Sequence, residues 1–60
     1  MDRLQKAQKS AEDIAVIAKF MANALALDYP KDKMRALINV PLKQLEDELK
    51  ELRSFVETLG

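Results

Sequence analysis

The sixty-residue chain contains no cysteine, no histidine and no tryptophan. Without cysteine it cannot form a disulfide bond, and without cysteine or histidine it lacks the usual ligands of a structural zinc site. A domain of this size buries only about 60% of the surface that its unfolded chain exposes, which leaves a stability margin of a few kcal/mol. Association with a second chain is the source of stability that remains.

The missing histidine and cysteine also argue against catalysis. Histidine is the side chain that ordinarily titrates near neutral pH, and cysteine is the most easily activated nucleophile. The hydroxyl groups of the chain belong to Ser10, Tyr29, Ser54 and Thr58, with no histidine to activate them. We therefore expect a protein that is not an enzyme and that has no catalytic residues, no metal site and no cofactor.

Charge and hydropathy bear on partners and location. Ten basic and ten acidic residues cancel, so no net charge holds the chain on nucleic acid or on an anionic membrane. Lys19 and Asn23 interrupt the longest apolar stretch, which is shorter than the ~20 residues that span a bilayer. Glu12 and Asp13 lie where the apolar core of a secretion signal would begin. We therefore predict a cytoplasmic protein without membrane contact.

Residues that break helices are rare, since the chain has one glycine, at its end, and two prolines. Both prolines suit the first turn of a helix, where the missing amide hydrogen costs nothing. The sequence predicts a single all-α domain over residues 1–60, with helices at about 2–28, 30–39 and 41–59. An alternative is that the second and third helices form one helix that is kinked at Pro41.

The first helix has apolar side chains on more than one side. A stripe of large side chains lies beside a strip of alanines, and a second large patch lies beyond a narrow polar edge. The stripe consists of Ile14, Ile17, Met21 and Leu25, the alanine strip includes Ala18 and Ala22, and the second patch consists of Val16, Phe20 and Leu27.

The third helix has one apolar side, because its leucines and valine recur at spacings of three and four. Folded back antiparallel, it can cover only one side of the first helix. We therefore expect a helical hairpin that associates into a four-helix-bundle-like homodimer. The predicted packing core joins the stripe of the first helix to Leu42, Leu45, Leu49, Leu52 and Val56, and the predicted oligomer interface is Val16, Phe20, Leu27, Ala18 and Ala22. An alternative is that the two large patches of the first helix exchange these roles.

These features predict a protein that acts by self-association and protein-protein interaction, as an accessory or regulatory component. One alternative is an adaptor or inhibitor subunit that binds a larger protein through the same apolar surface. Another is a nucleic-acid-binding regulator whose basic clusters are doubled in a dimer, although the acidic third helix is a poor fit to a helix-turn-helix. The candidate nucleic-acid contacts are Arg3, Lys6, Lys9, Lys31, Lys33 and Arg35.

Overall fold

The computed structural model describes residues 2–59, which form two α-helices. Helix α1 spans Arg3–Leu25 and helix α2 spans Lys31–Leu59. The helices run antiparallel, since Lys6 near the start of α1 forms an ion pair with Glu51 near the end of α2. The hairpin is long and narrow, with Cα extents of 44 × 17 × 14 Å. The prediction of an all-α helical hairpin is confirmed.

The prediction of three helices is wrong, because α2 continues without a break through Pro41. Proline lacks an amide hydrogen, so Pro41 leaves the carbonyl of Leu37 without its usual partner, at a cost of about 3 kcal/mol in a helix interior. Pro41 is buried against α1, and Ile38 and Leu45 are half-buried on the same stripe. Burial along this stripe offsets the cost, so the predicted helices at about 30–39 and 41–59 are one element.

Helix α1 starts with a side-chain cap, whereas α2 starts with an ordinary helical bond to the carbonyl of Pro30. Asp2 is the N-cap of α1, and its Oδ1 accepts hydrogen bonds from the amides of Leu4 and Gln5, two of the donors that a helix start leaves unpaired. The carbonyl of Pro30 accepts the amide of Met34 at 2.9 Å. Helix α1 ends at Leu25 with Ala26 as its C-cap, earlier than predicted, and the amide of Leu27 donates to the carbonyl of Ala24 at 3.0 Å in a tighter last turn.

The two helices meet along a narrow line of side chains, here called the seam, whose members recur every seven residues as in a coiled coil. Ala7, Ser10, Ala24 and Pro41 are buried on the seam. Among residues 2–59, no large side chain is completely buried. The other seam residues are half-buried, namely Ile14, Ile17 and Met21 on α1 and Met34, Ile38, Leu45, Glu48, Leu52 and Phe55 on α2.

The predicted packing core is only partly on this seam. Ile14, Ile17, Met21, Leu45 and Leu52 lie there, half-buried. Four further predicted core residues lie off the seam in the single chain. A helix contacts a single partner through two positions in every seven. On α2 these are the two seven-residue series that contain Ile38 and Pro41, and Leu42 belongs to neither. The four residues, Leu25, Leu42, Leu49 and Val56, are between 41% and 61% exposed.

Candidate functional site

Most of the large apolar side chains lie outside the seam. Eleven of them are between 40% and 69% exposed. The chain as a whole exposes 5055 Å², whereas a compact monomer of its mass, 6.8 kDa, exposes about 4,000 Å². The chain therefore exposes about 1,000 Å² more than such a monomer, and exposed apolar side chains lie on two sides of the hairpin.

One side carries an apolar surface that runs the length of the hairpin. Its positions recur every seven residues next to the seam on both helices. One set of positions on α1 includes Leu25, and one set on α2 includes Arg35. These two residues line one shallow groove with Ile38, so the two sets face the same side of the hairpin. Seven of the eight residues in the two sets are apolar, and the eighth is Arg35 at the loop end. We call the apolar residues the leucine-alanine face: Leu4, Ala11, Ala18 and Leu25 on α1, and Leu42, Leu49 and Val56 on α2.

The opposite side is apolar only in the half nearer the loop. Val16, Phe20 and Val40 are exposed there beside the half-buried Leu37. They line an open groove of about 450 Å³, which we call the Phe20 groove. In the other half, Lys6 Nζ lies 3.7 Å from Glu51 Oε2.

The predicted oligomer interface is divided between these two sides. Val16 and Phe20 lie in the Phe20 groove, and Leu27 is exposed just beyond the end of α1. Ala18 belongs to the leucine-alanine face, and Ala22 is exposed beside it. Ala18 and Phe20 are two residues apart, which corresponds to about 200° around a helix of 3.6 residues per turn. The structure therefore does not bring the five residues together on one surface.

Sequence reasoning missed the leucine-alanine face as a continuous surface. Four of its seven members, Leu25, Leu42, Leu49 and Val56, fall among the predicted core residues, and Leu4 and Ala11 were assigned to no site. The signal that identifies the face is the seven-residue spacing shared by both helices, which places each set one position beyond the seam. Side-chain size alone does not reveal it, because the seam itself contains alanine, serine and proline.

A carboxyl pair interrupts the seam near its middle. Glu48 is half-buried, and its Oε2 atom is shielded from solvent with no donor among residues 2–59. When Glu48 is protonated it donates a hydrogen bond to Asp13, which raises the pKa of Glu48, as do desolvation and the charges of Asp13 and Glu51. The same hydrogen bond, with one from Lys9 Nζ at 3.3 Å, lowers the pKa of Asp13. The pair therefore shares one proton between its two pKa values.

This pair predicts a characteristic pH dependence of stability. The contribution of Glu48 is complete below its ordinary pKa of 4.5 and is lost as the pH rises through its raised folded-state pKa. That of Asp13 is present above its ordinary pKa of 3.8 and is lost as the pH falls through its lowered folded-state pKa. Because glutamine can donate to Asp13 at any pH, Glu48→Gln should be more stable than the native protein at pH 7 and lose this advantage near pH 4.

The measurement is chemical unfolding followed by circular dichroism at several pH values between 4 and 7. Asp47→Asn is the matched control, because it removes the same charge from an exposed position on the same helix, away from the leucine-alanine face. Identical pH profiles for the two variants would show that the Asp13 and Glu48 pair has no influence on folding.

The basic residues do not form one surface in the hairpin. Arg3, Lys6 and Lys9 lie at the open end, and Lys31, Lys33 and Arg35 lie at the loop end of a molecule 44 Å long. Lys6 and Lys9 form ion pairs with Glu51 and Asp13. Lys33 Nζ lies 4.5 Å from the centroid of the Tyr29 ring. The geometry of a single chain therefore offers no continuous track for a phosphate backbone.

Two further kinds of site are absent from the described part of the chain. Between residues 2 and 59, no three acidic side chains come close enough to hold a metal ion. Neither α1 nor α2 contains a stretch that is both long and apolar enough to cross a membrane. The candidate functional surfaces of the described residues are therefore the leucine-alanine face and the Phe20 groove.

The residues described here define an antiparallel two-helix hairpin with apolar side chains exposed on both flanks. No protein-family model, no curated protein and no solved structure matches the chain.

Proposed function

We propose that the protein acts by self-association, as a homodimer in which two hairpins form a four-helix bundle, and that this dimer is an accessory or regulatory component and not an enzyme. The observation that carries the proposal is the exposed area of 5055 Å², about 1,000 Å² more than a compact monomer of this mass. Two copies that cover this excess bury about 2,000 Å² together, at the upper end of the range for specific protein interfaces.

The shape of the hairpin supports the same proposal. Its radius of gyration is 14.1 Å, whereas a compact chain of sixty residues has about 10 Å and one of 120 residues about 14 Å. A second hairpin laid along the first would thicken the molecule without lengthening it. Such packing would give the small core of the single chain the second layer of helices that it lacks.

Sedimentation equilibrium tests the proposal directly. We expect a mass twice that of the 6.8 kDa chain. We also expect a melting temperature that rises with protein concentration, because dissociation accompanies unfolding. A single-chain mass and an unchanged melting temperature over about a hundredfold range of concentration would overturn the proposal.

A further inference from the structure

The two exposed sides of the hairpin differ in how well they can meet a second helical layer. The side with the Phe20 groove is apolar only near the loop, and its other half contains the Lys6 and Glu51 ion pair and the Asp13 and Glu48 carboxyl pair. Full-length packing on that side would take these charges out of water, which is unfavourable. The leucine-alanine face is apolar from Leu4 to Leu25, so it can be covered along its whole length.

Charge is segregated along the hairpin, and this sets the direction of the second layer. The loop half, residues 15–45, has five basic and two acidic residues, and the open half has five basic and eight acidic residues. Their net charges are +3 and −3. Two copies with their loops at opposite ends place each positive half beside a negative half, whereas loops at the same end place like charges together.

We infer that a second copy of the chain packs on the leucine-alanine face with its loop at the opposite end, so that α1 lies against α1 and α2 against α2 around a twofold axis. This inference rests on the proposed self-association and adds the surface and the orientation. The axis passes between the two α1 helices at the height of Ala15, which is exposed beside the leucine-alanine face. Each α1 then presents the same alanine strip to the other, as an isologous interface requires.

Most of the side chains that would face each other under this symmetry are small or apolar. The exception is Glu46, which has on α2 the position that Ala15 has on α1 and would lie near Glu46 of the second copy. Ala11 of one copy lies opposite Ala18 of the second, so the two α1 helices can approach to the short end of the 8–10 Å range of interhelical distances. At the same level, Glu12 of one copy lies near Lys19 of the second, at the rim of the contact. On α2, Leu42 lies opposite Leu49 of the second copy, and both leucines become buried in the contact.

Single-cysteine cross-linking tests the orientation on a chain that has no cysteine of its own. In Ala15→Cys the two thiols lie close to the twofold axis, within reach of a disulfide. Mild oxidation should therefore convert most of the 6.8 kDa chain into a covalent dimer. Ala22→Cys is the matched control on the same side of α1, because the two thiols then lie about 20 Å apart along the axis. Ala36→Cys, in the Phe20 groove, controls for random collision.

Each outcome assigns success or failure to one of the two proposals. Rapid cross-linking of Ala15→Cys alone supports the inference. If the native protein has the mass of a dimer but Ala15→Cys cross-links no faster than the two controls, the inferred surface and orientation are wrong and self-association stands. If the native protein has the mass of a single chain, the proposed function fails, and the inference fails with it.

Discussion

Leu49→Lys should dissociate the dimer, whereas Phe20→Lys should leave it intact. In the single hairpin the two residues are equally exposed, at 48% for Leu49 and 49% for Phe20, so a lysine costs the isolated chain little at either position. Leu49 lies on the leucine-alanine face and Phe20 lies on the other side. Each leucine is already about half covered in the single chain, so losing one from each copy costs about 1.5–3 kcal/mol per dimer. This weakens association about ten- to a hundredfold before the added charge is counted.

The measurement is the dimer dissociation constant of each variant, by sedimentation. The pair of variants also decides between the surface inferred from the structure and the interface predicted from sequence, which contains Phe20. If Phe20→Lys yields monomers and Leu49→Lys remains a dimer, the sequence-based interface is right and the leucine-alanine face is not the contact.

Leu45→Ala should have the largest effect on folding itself. Leu45 lies on the seam between the helices, and truncating a leucine in such a position lowers the free energy of unfolding by about 2–5 kcal/mol. A domain this small has only a few kcal/mol in reserve, so the variant should be largely unfolded under conditions where the native protein is folded.

Val40→Ala is the matched control for this prediction. Val40 lies on the same helix and is 65% exposed, and alanine is the better helix former, so we expect a change within about 0.5 kcal/mol. Denaturant titration followed by circular dichroism compares the two midpoints. Equal shifts for Leu45→Ala and Val40→Ala would show that the seam does not hold the hairpin together.

The helical hairpin could be predicted because glycine and proline are scarce and the leucines of α2 recur at helical spacing. The number of helices could not, since the residues around Pro41 suit a first turn as well as a helix interior. The difference is made by burial of Pro41 against α1, a tertiary contact that local preference does not contain. The N-cap at Asp2 follows from residue type and position alone.

The exposure of apolar side chains on both flanks could also be predicted, because one helix cannot cover two sides of another. The division of residues between core and surface was harder. A prediction based on side-chain size looks for leucine at the seam, but the seam contains Ala7, Ser10 and Ala24. The same prediction does not place a charged residue such as Glu48 there. Small side chains at the seam let the helices approach closely, so the leucines beside it remain outside.

Because the seam residues of both helices recur every seven residues, the hairpin can be lengthened or shortened by whole seven-residue repeats without changing which side chains lie on the seam. Residues 11–17 of α1 and 43–49 of α2 lie at matching heights, and each segment is one whole repeat. Excising both would shorten the rod by about 10 Å and return every remaining side chain to its former side. Removing three or four residues from one arm would instead turn the rest of that arm about its own axis. Related chains of this design should therefore differ in length by whole repeats, inserted or lost in both arms together.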